Sequence, residues 1–373
     1  MAAEGLDTQT PLPLRDLHAE RGARFVPFTG YEMPVQFAGV MPEHLHVRSR
    51  AGLFDVSHMG QVVVRGEGAA AALERLLPVD VAGLAEGRQR YALLTTTDGG
   101  VADDLMVANR GDHLLLVVNG AMKHADMALL TAGMPDHEVA LLDDRALLAV
   151  QGPEAEAALA ALVPGVAAMR FMDAASHDWE GAELWISRSG YTGEDGFEVS
   201  VPLGAARAFA EALLAQEAVA PIGLGARDSL RLEAGMPLYG QDLTPETSPV
   251  EAGLGWSIGK VRRGGGARAG GFPGAERILA ELSDGPARMR TGLRPEGRAP
   301  MRQGTMLYAA EDAAAPVGTV TSGGFGPSVG APIAMGYVPA GTEPGTVLYG
   351  EVRGRRMPVA TAPLPFHAPR YRR

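Results

Sequence analysis

Two stretches near the middle of the chain force tight turns on any fold that contains them. They are Gly190-Tyr191-Thr192-Gly193-Glu194-Asp195-Gly196-Phe197-Glu198-Val199 and Gly223-Leu224-Gly225-Ala226-Arg227-Asp228-Ser229-Leu230-Arg231-Leu232-Glu233-Ala234-Gly235. Glycine lets a backbone turn sharply or pass close to a ligand. Each stretch sets carboxylates, an aromatic ring or arginines among such turns. Polar groups held at fixed geometry by tight turns suit a heteroaromatic ligand with donors and acceptors of its own.

The 373 residues leave room for two or three domains, and 46% hydrophobic with 21% charged residues is ordinary globular composition. A net charge of -11 disfavours nonspecific nucleic-acid binding, which rests on neutralising phosphates. The chain has no cysteine, which excludes disulfides, thiolate metal sites and cysteine nucleophiles. Met1 to Leu14 holds no lysine or arginine and no long apolar run, so neither a secretory signal nor an arginine-rich transit peptide is expected. No apolar run reaches membrane-spanning length. The expected location is the cytoplasm, away from membranes.

Strand and helix signals are intermixed along the chain, and α+β is the expected class. A helix is expected over 66–77, stopped by Pro78. Asp98-Gly99-Gly100 reads as a hairpin turn feeding a strand from Val101 to Asn109. Gly111-Asp112 turns the chain back into a second strand, 114–119. Further strands are expected at 146–151, 184–189 and 197–201, with a helix over 153–162. A helix over 226–234 is ended by Gly235 and Pro237. The glycine-rich basic stretch from Arg262 to Gly271 reads as a flexible boundary, dividing the chain into 1–270 and 271–373. A short helix is expected at 273–282. Beyond Gly292 short strands at 318–321, 333–338 and 345–352 suggest a small β-barrel or sandwich.

Several side chains are candidates for chemistry. Asp103 and Asp104 are neighbours on the predicted strand and so point to opposite faces. They therefore do not form a proton-sharing dyad with each other. One shares its face with Val101, Leu105 and Val107, the other with Ala102, Met106 and Ala108. Either set is apolar, so one aspartate sits in an unusual environment or else caps the turn. Glu198 alternates with Phe197 and Val199, which makes it either a solvated strand residue or a carboxylate that accepts two parallel hydrogen bonds from an amidine-like edge. Arg227 and Arg231 lie four apart on the predicted helix. Asp228 neutralises Arg231, and Arg227 is left for the surface or for a ligand. Three other patterns carry little. Asp55-Val56-Ser57-His58 has hydrolase letters, but a triad is assembled in space. His44-Leu45-His46 places two imidazoles on one face of a strand, without the other ligands a zinc site needs. The 264–271 glycines lack the ending of a phosphate-binding loop.

The whole chain resembles the aminomethyltransferase (T-protein) family of the glycine cleavage system. The resemblance runs through Thr10-Pro11-Leu12, Gly30 to Gln36, Gly52 to Met59, Gly99 to Leu105, Gln151-Gly152-Pro153 and both glycine stretches. It continues in Leu238-Tyr239-Gly240-Gln241-Asp242, Thr321 to Pro327, Pro365-Phe366 and Arg370-Tyr371. It implies a tetrahydrofolate-binding region of two intertwined α+β subdomains followed by a C-terminal β-barrel. It implies transfer of an aminomethyl group from sulfur on the lipoyl arm of the H-protein to tetrahydrofolate, the co-substrate, with no metal. The products are 5,10-methylenetetrahydrofolate, ammonia and dihydrolipoyl H-protein.

Carried over residue by residue, the family's catalytic aspartate falls on Asp104 and its pterin-contacting glutamate on Glu198. Tyr191 and Arg227 match further folate contacts. Met59, Tyr91, Asn119 and Tyr239 match the cavity wall, and Arg370 and Tyr371 match folate-facing positions near the C-terminus. The chemistry needs no enzyme nucleophile, since N5 of the folate attacks the sulfur-bound carbon. Two relatives of the same fold compete with this reading. One is a folate-dependent demethylase of a methylated amine or sulfonium compound; the other is a folate-binding assembly factor without catalysis.

Overall fold

The computed structural model describes residues 9–373; the first eight residues, part of the segment read for a targeting signal, lie outside them. Two sheets form the bulk of the molecule. The six-stranded sheet runs in the order Ala174–Trp179, Ala182–Ser187, Gly196–Pro202, Arg145–Gln151, Ala51–Asp55, Val219–Pro221. The five-stranded sheet runs Arg88–Thr95, Val101–Asn109, Leu114–Val118, Gly60–Arg65, Glu138–Leu141. The chain leaves the first sheet after Asp55, builds the second, and returns to the first at Arg145. That exchange intertwines the two halves. A three-stranded sheet centred on Tyr31–Gln36 lies near the N-terminus.

Strand alternation sorts the residues of both sheets. Leu105 and Val107 join Leu73, Leu77 and Leu130 in a core beneath the helices of the five-stranded sheet. Phe197, Val199 and Val201 join Leu159, Phe209 and Leu213 in the corresponding core of the six-stranded sheet. The opposite faces meet each other. Val63, Ala108 and Leu115 of one sheet pack with Ala174 and Trp185 of the other, and Val117 packs with Leu147 and Ala149. Residues out of phase with the helix-covered faces are thus turned towards the space between the sheets.

The C-terminal strands close into a six-stranded barrel in the order Arg288–Pro295, Ala331–Pro339, Gly318–Gly326, Met306–Tyr308, Val347–Val352, Arg355–Ala362. Arg231 ties it to the rest. The buried guanidinium meets Asp228 at 2.8 Å, Asp242 at 2.8 Å and the Ser322 hydroxyl at 3.0 Å. Asp242 also accepts from Thr321 and Ser322 and, through its carbonyl, from Tyr337. Each oxygen of this buried carboxylate has a donor, the condition under which a buried ion pair is tolerated.

Some elements differ from expectation. The 66–77 helix is regular only over Ala69–Leu73, and the 153–162 helix over Ala155–Ala160. The 318–321 strand extends to Gly326. His44 and His46 lie on a helix, Val40–Ser49, not on a strand, so their side chains diverge. His44 is buried against Ser229 at 2.8 Å and Glu233 at 3.0 Å, while His46 meets the carbonyls of Ala51 and Ala218 at 3.0 Å. The 262–271 stretch, expected to be flexible, is anchored by charge: Arg262 and Arg268 both reach buried Glu74, and Arg268 also reaches Asp80.

Candidate active site

The strand Val101–Asn109 is entered through Gly99, at φ +81°, and Gly100, where a Cβ would lie 1.6 Å from the Pro245 carbonyl oxygen. The two aspartates that follow go to opposite faces. Asp103 falls in phase with Leu105 and Val107 and turns to the helix side. Asp104 falls in phase with Met106 and Ala108 and turns to the space between the sheets.

Asp104 is held by two donors from neighbouring strands or their ends. The Tyr91 hydroxyl donates to one carboxyl oxygen at 2.9 Å, and the Asn119 side-chain amide donates to the other at 2.8 Å. The pairing of Leu93 with Asp104 places Tyr91 two residues away on the adjacent strand, on the same face. Burial, reinforced by the charge of Asp103, pushes the Asp104 carboxyl up to about 7, although both hydrogen bonds favour its ionised form. A carboxyl in that range holds or releases a proton near neutrality. Tyr91 also stacks on Trp256, ring centroids 5.6 Å apart, and Trp256 is 64% exposed. Tyr239 packs beside Tyr91 and Leu93; burial and the nearby aspartates push its hydroxyl up to about 12.

Glu198 occupies the facing sheet. Its neighbours Phe197 and Val199 are fully buried in the helix-covered core, so Glu198 points with Ser200 into the inter-sheet space. It is half-buried rather than solvated, and burial raises its carboxyl above the usual range while Arg227 opposes the rise. Arg227 lies on the helix Leu224–Glu233, with its guanidinium carbon 4.8 Å from the centre of the Tyr191 ring. One of its terminal nitrogens, Nη1, is buried without a hydrogen-bond partner. Tyr191 donates to the Pro237 carbonyl oxygen. Its hydroxyl is raised by burial and lies within the field of both Asp104 and Arg227, which links the two groups of side chains.

The turn carrying Tyr191 is fixed from below. Gly190 packs so tightly that a Cβ would lie 1.7 Å from the Gln151 side-chain oxygen. That oxygen accepts from Thr192 at 2.9 Å, and the Gln151 amide donates to the Ser189 carbonyl at 2.9 Å. Arg48 donates to the Thr192 carbonyl at 2.7 Å and to Glu194 at 2.9 Å. The Gln151-Gly152-Pro153 motif is therefore a support for the glycine turn.

The remaining candidates are more dispersed. Met59 packs against Phe54, Val56 and Leu147 between the sheets. Arg370 and Tyr371 meet the turn through Gly193 and Glu194, not through Tyr191. The Arg370 backbone N–H donates to Gly193 at 2.9 Å, and its guanidinium stands 3.9 Å from Glu194. Tyr371 stacks on Phe171 with ring centroids 4.4 Å apart.

Sequence reasoning missed three residues around this site. Trp256 gave no periodic signal. His58 was set aside with the hydrolase letters; its Nδ1 is buried without a partner, and burial with nearby Arg227 and Lys123 lowers its imidazole to about 3. Asp126, 2% exposed, lies on the helix Lys123–Gly133 against Asp103. The signal for Asp126 was present: it shares a four-residue spacing with Leu130 and Met134, both fully buried, so an acid sits on an apolar stripe. Among the described residues no group of three or more His, Asp or Glu is arranged to hold a metal ion, and no helix is long and apolar enough to cross a membrane.

Comparison with known proteins covers nearly the whole chain. Residues 14–262 match the GCVT N-terminal domain, and residues 288–367 match the glycine cleavage T-protein C-terminal barrel domain. The probable mitochondrial aminomethyltransferase of Schizosaccharomyces pombe is 44% identical over 95% of this chain and 92% of its own length. The aminomethyltransferase of Synechococcus elongatus is 42% identical over 95% of both chains. The crystal structure of the glycine cleavage system aminomethyltransferase T from Bartonella henselae superposes with a TM-score of 0.90 at 43% identity, covering 98% of this chain and 99% of that one.

Proposed function

This chain belongs to the glycine cleavage T-protein family, and from that premise we propose how its residues divide the work of an aminomethyltransferase. The enzyme moves an aminomethyl carbon from sulfur on the lipoyl arm of the H-protein to tetrahydrofolate. Two N–H hydrogens of the folate are replaced by the bridging carbon. One of them leaves with ammonia and the other ends on the thiol.

The observation that carries the assignment is the setting of Asp104. It is a half-buried carboxyl pushed up towards neutrality, gripped by Tyr91 and Asn119 and turned towards the face that holds Glu198 and Arg227. A carboxylate there orients the attacking amine, takes its proton, or stabilises positive charge developing on the transferred carbon. Tyr91 and Asn119 act as positioning residues by fixing both carboxyl oxygens.

The residues facing Asp104 suit a pterin. Glu198 is a half-buried carboxylate with the geometry to accept from a paired N–H and amino group. Arg227 Nη1 is a buried donor with no acceptor among the described residues. A buried unpaired donor is costly unless a ligand completes it. Glu198, Arg227 and Tyr191 together would hold the pterin ring, and Arg370 with Tyr371 would lie towards the anionic glutamate end. The lipoylated H-protein is the proposed donor partner.

Turnover with aminomethyl-loaded H-protein and tetrahydrofolate tests this division. Wild-type protein releases ammonia and methylenetetrahydrofolate in equal amounts. A folded protein that released neither, yet demethylated an amine or sulfonium donor, would replace the reading.

A further inference from the structure

Asp103 turns away from the inter-sheet space, yet it is fully buried, at 0% exposure. Its two oxygens accept from Asn119, one from the side-chain amide at 2.9 Å and one from the backbone N–H at 3.2 Å. The same Asn119 amide nitrogen donates to Asp104 at 2.8 Å. One asparagine thus touches both aspartates. Behind Asp103, the helix Lys123–Gly133 presents Asp126, and the two carboxyls are hydrogen-bond neighbours. Asp126 Oδ2 is buried with no donor among the described residues.

Two carboxylates have no hydrogen to share, so a hydrogen bond between them needs one proton. We propose that Asp103 and Asp126 share a single proton across the strand–helix contact, and that this shared proton limits the negative charge Asp103 sets beside Asp104, so that Asp104 is the carboxyl free to ionise beside the substrate. Asp103 and Asp126 are positioning residues on this account, and it rests on the reading of Asp104 as the working carboxyl.

The surroundings leave the pair few other means of satisfaction. Asn119 is its neutral donor, and Asp104 adds a like charge. Tyr239, from the segment after the Leu224–Glu233 helix, lies in the field of all three aspartates together with Glu246. Tyr91, from the adjacent strand, gives its hydroxyl to Asp104 and not to the pair. Burial is the largest influence on both members, and among the described residues no ion pair reaches either carboxyl. Burial without a cation favours the protonated form, and two acids in contact raise the pair further.

The consequence has a definite sign. The substitution Asp126→Asn offers Asp103 a donor in place of an acid. Asp103 then carries a full charge, which opposes ionisation of Asp104 more strongly than the shared-proton pair does. Asp126→Asn is expected to move the acidic limb of the kcat/KM profile upward by about one pH unit. Asp103→Asn supplies a permanently neutral group and produces no upward shift. Combining the two returns the limb towards its wild-type position. A uniform loss of rate in Asp126→Asn, with no displacement of the limb, would reduce Asp126 to a packing residue and overturn the proposal.

A second readout avoids activity altogether. In the Asp104→Asn background, infrared spectroscopy near neutral pH should show the C=O stretch of a buried protonated carboxyl, and adding Asp126→Asn should remove it. Superimposable spectra would show that no proton is shared. If the band behaves as expected but Asp104→Asn turns over like wild type, the shared proton stands and the role assigned to Asp104 falls.

Discussion

At the scale of single residues, Asp104 combines two opposing influences. Burial resists its charge, while Tyr91 and Asn119 favour it. The balance leaves a carboxyl raised to about 7, not one locked in either state near neutrality. Asp104→Asn is expected to lower kcat by a factor of about 100 or more, the scale of general acid–base contributions, with tetrahydrofolate affinity nearly intact. Asp103→Asn, read in the same assay, should cost far less. Equal losses would remove the distinction between the two neighbours. Tyr91→Phe deletes a hydrogen bond that holds the ionised form. The Asp104 carboxyl then rises above its present value of about 7, and a pH–rate series should show the acidic limb displaced upward with rate recovered in alkali. Glu198→Ala acts on binding: calorimetry should show tetrahydrofolate affinity weaker by about 2 kcal/mol, roughly thirtyfold. An unchanged Kd would exclude Glu198 from the pterin contact.

At the scale of elements, strand alternation decides which groups meet. The alternation was legible in the chain: Leu105 and Val107 set the phase for Asp104, and Phe197 with Val199 set it for Glu198. What the pattern does not contain is which other strand each face opposes, because that follows from the chain leaving one sheet at Asp55 and returning at Arg145. The contact of Asp103 with Asp126 is likewise invisible locally, since a strand and a later helix supply one acid each. His44 and His46 illustrate the reverse error. A spacing of two suggests one strand face, but packing of the Val40–Ser49 helix against the Leu224–Glu233 helix overrides it and buries His44 on Glu233. The resemblance supplied Tyr91 and Asn119 as cavity residues, and the geometry adds what they hold. The glycine turn permits a sharper test. Gly190→Ala drives a methyl group into the Gln151 side-chain amide, where contact would be 1.7 Å. Displacing the turn should weaken folate binding and lower thermal stability together. A variant with wild-type melting and affinity would show that the turn tolerates displacement.

At the scale of the whole molecule, the barrel is joined to the sheets by a buried charge cluster. Arg231 links the Leu224–Glu233 helix, the Leu238 to Asp242 motif and Ser322 of the barrel. Both motifs were visible in the sequence as parts of the resemblance, but their meeting was not, because they lie some eighty residues apart. Arg231→Met leaves Asp242 buried without its cation, and urea unfolding should show a loss of about 3–5 kcal/mol. A midpoint equal to wild type would mean that Asp242 is satisfied by its hydroxyl and backbone donors alone.

The central claim is that Asp104 is the working carboxyl of an aminomethyltransferase whose folate site lies between the sheets. Ammonia release from aminomethyl-loaded H-protein with saturating tetrahydrofolate, compared between wild type and Asp104→Asn, tests it most directly. The account predicts robust release from wild type and a loss of about 100-fold or more in the variant, with folate still bound. Comparable release from both proteins would contradict it.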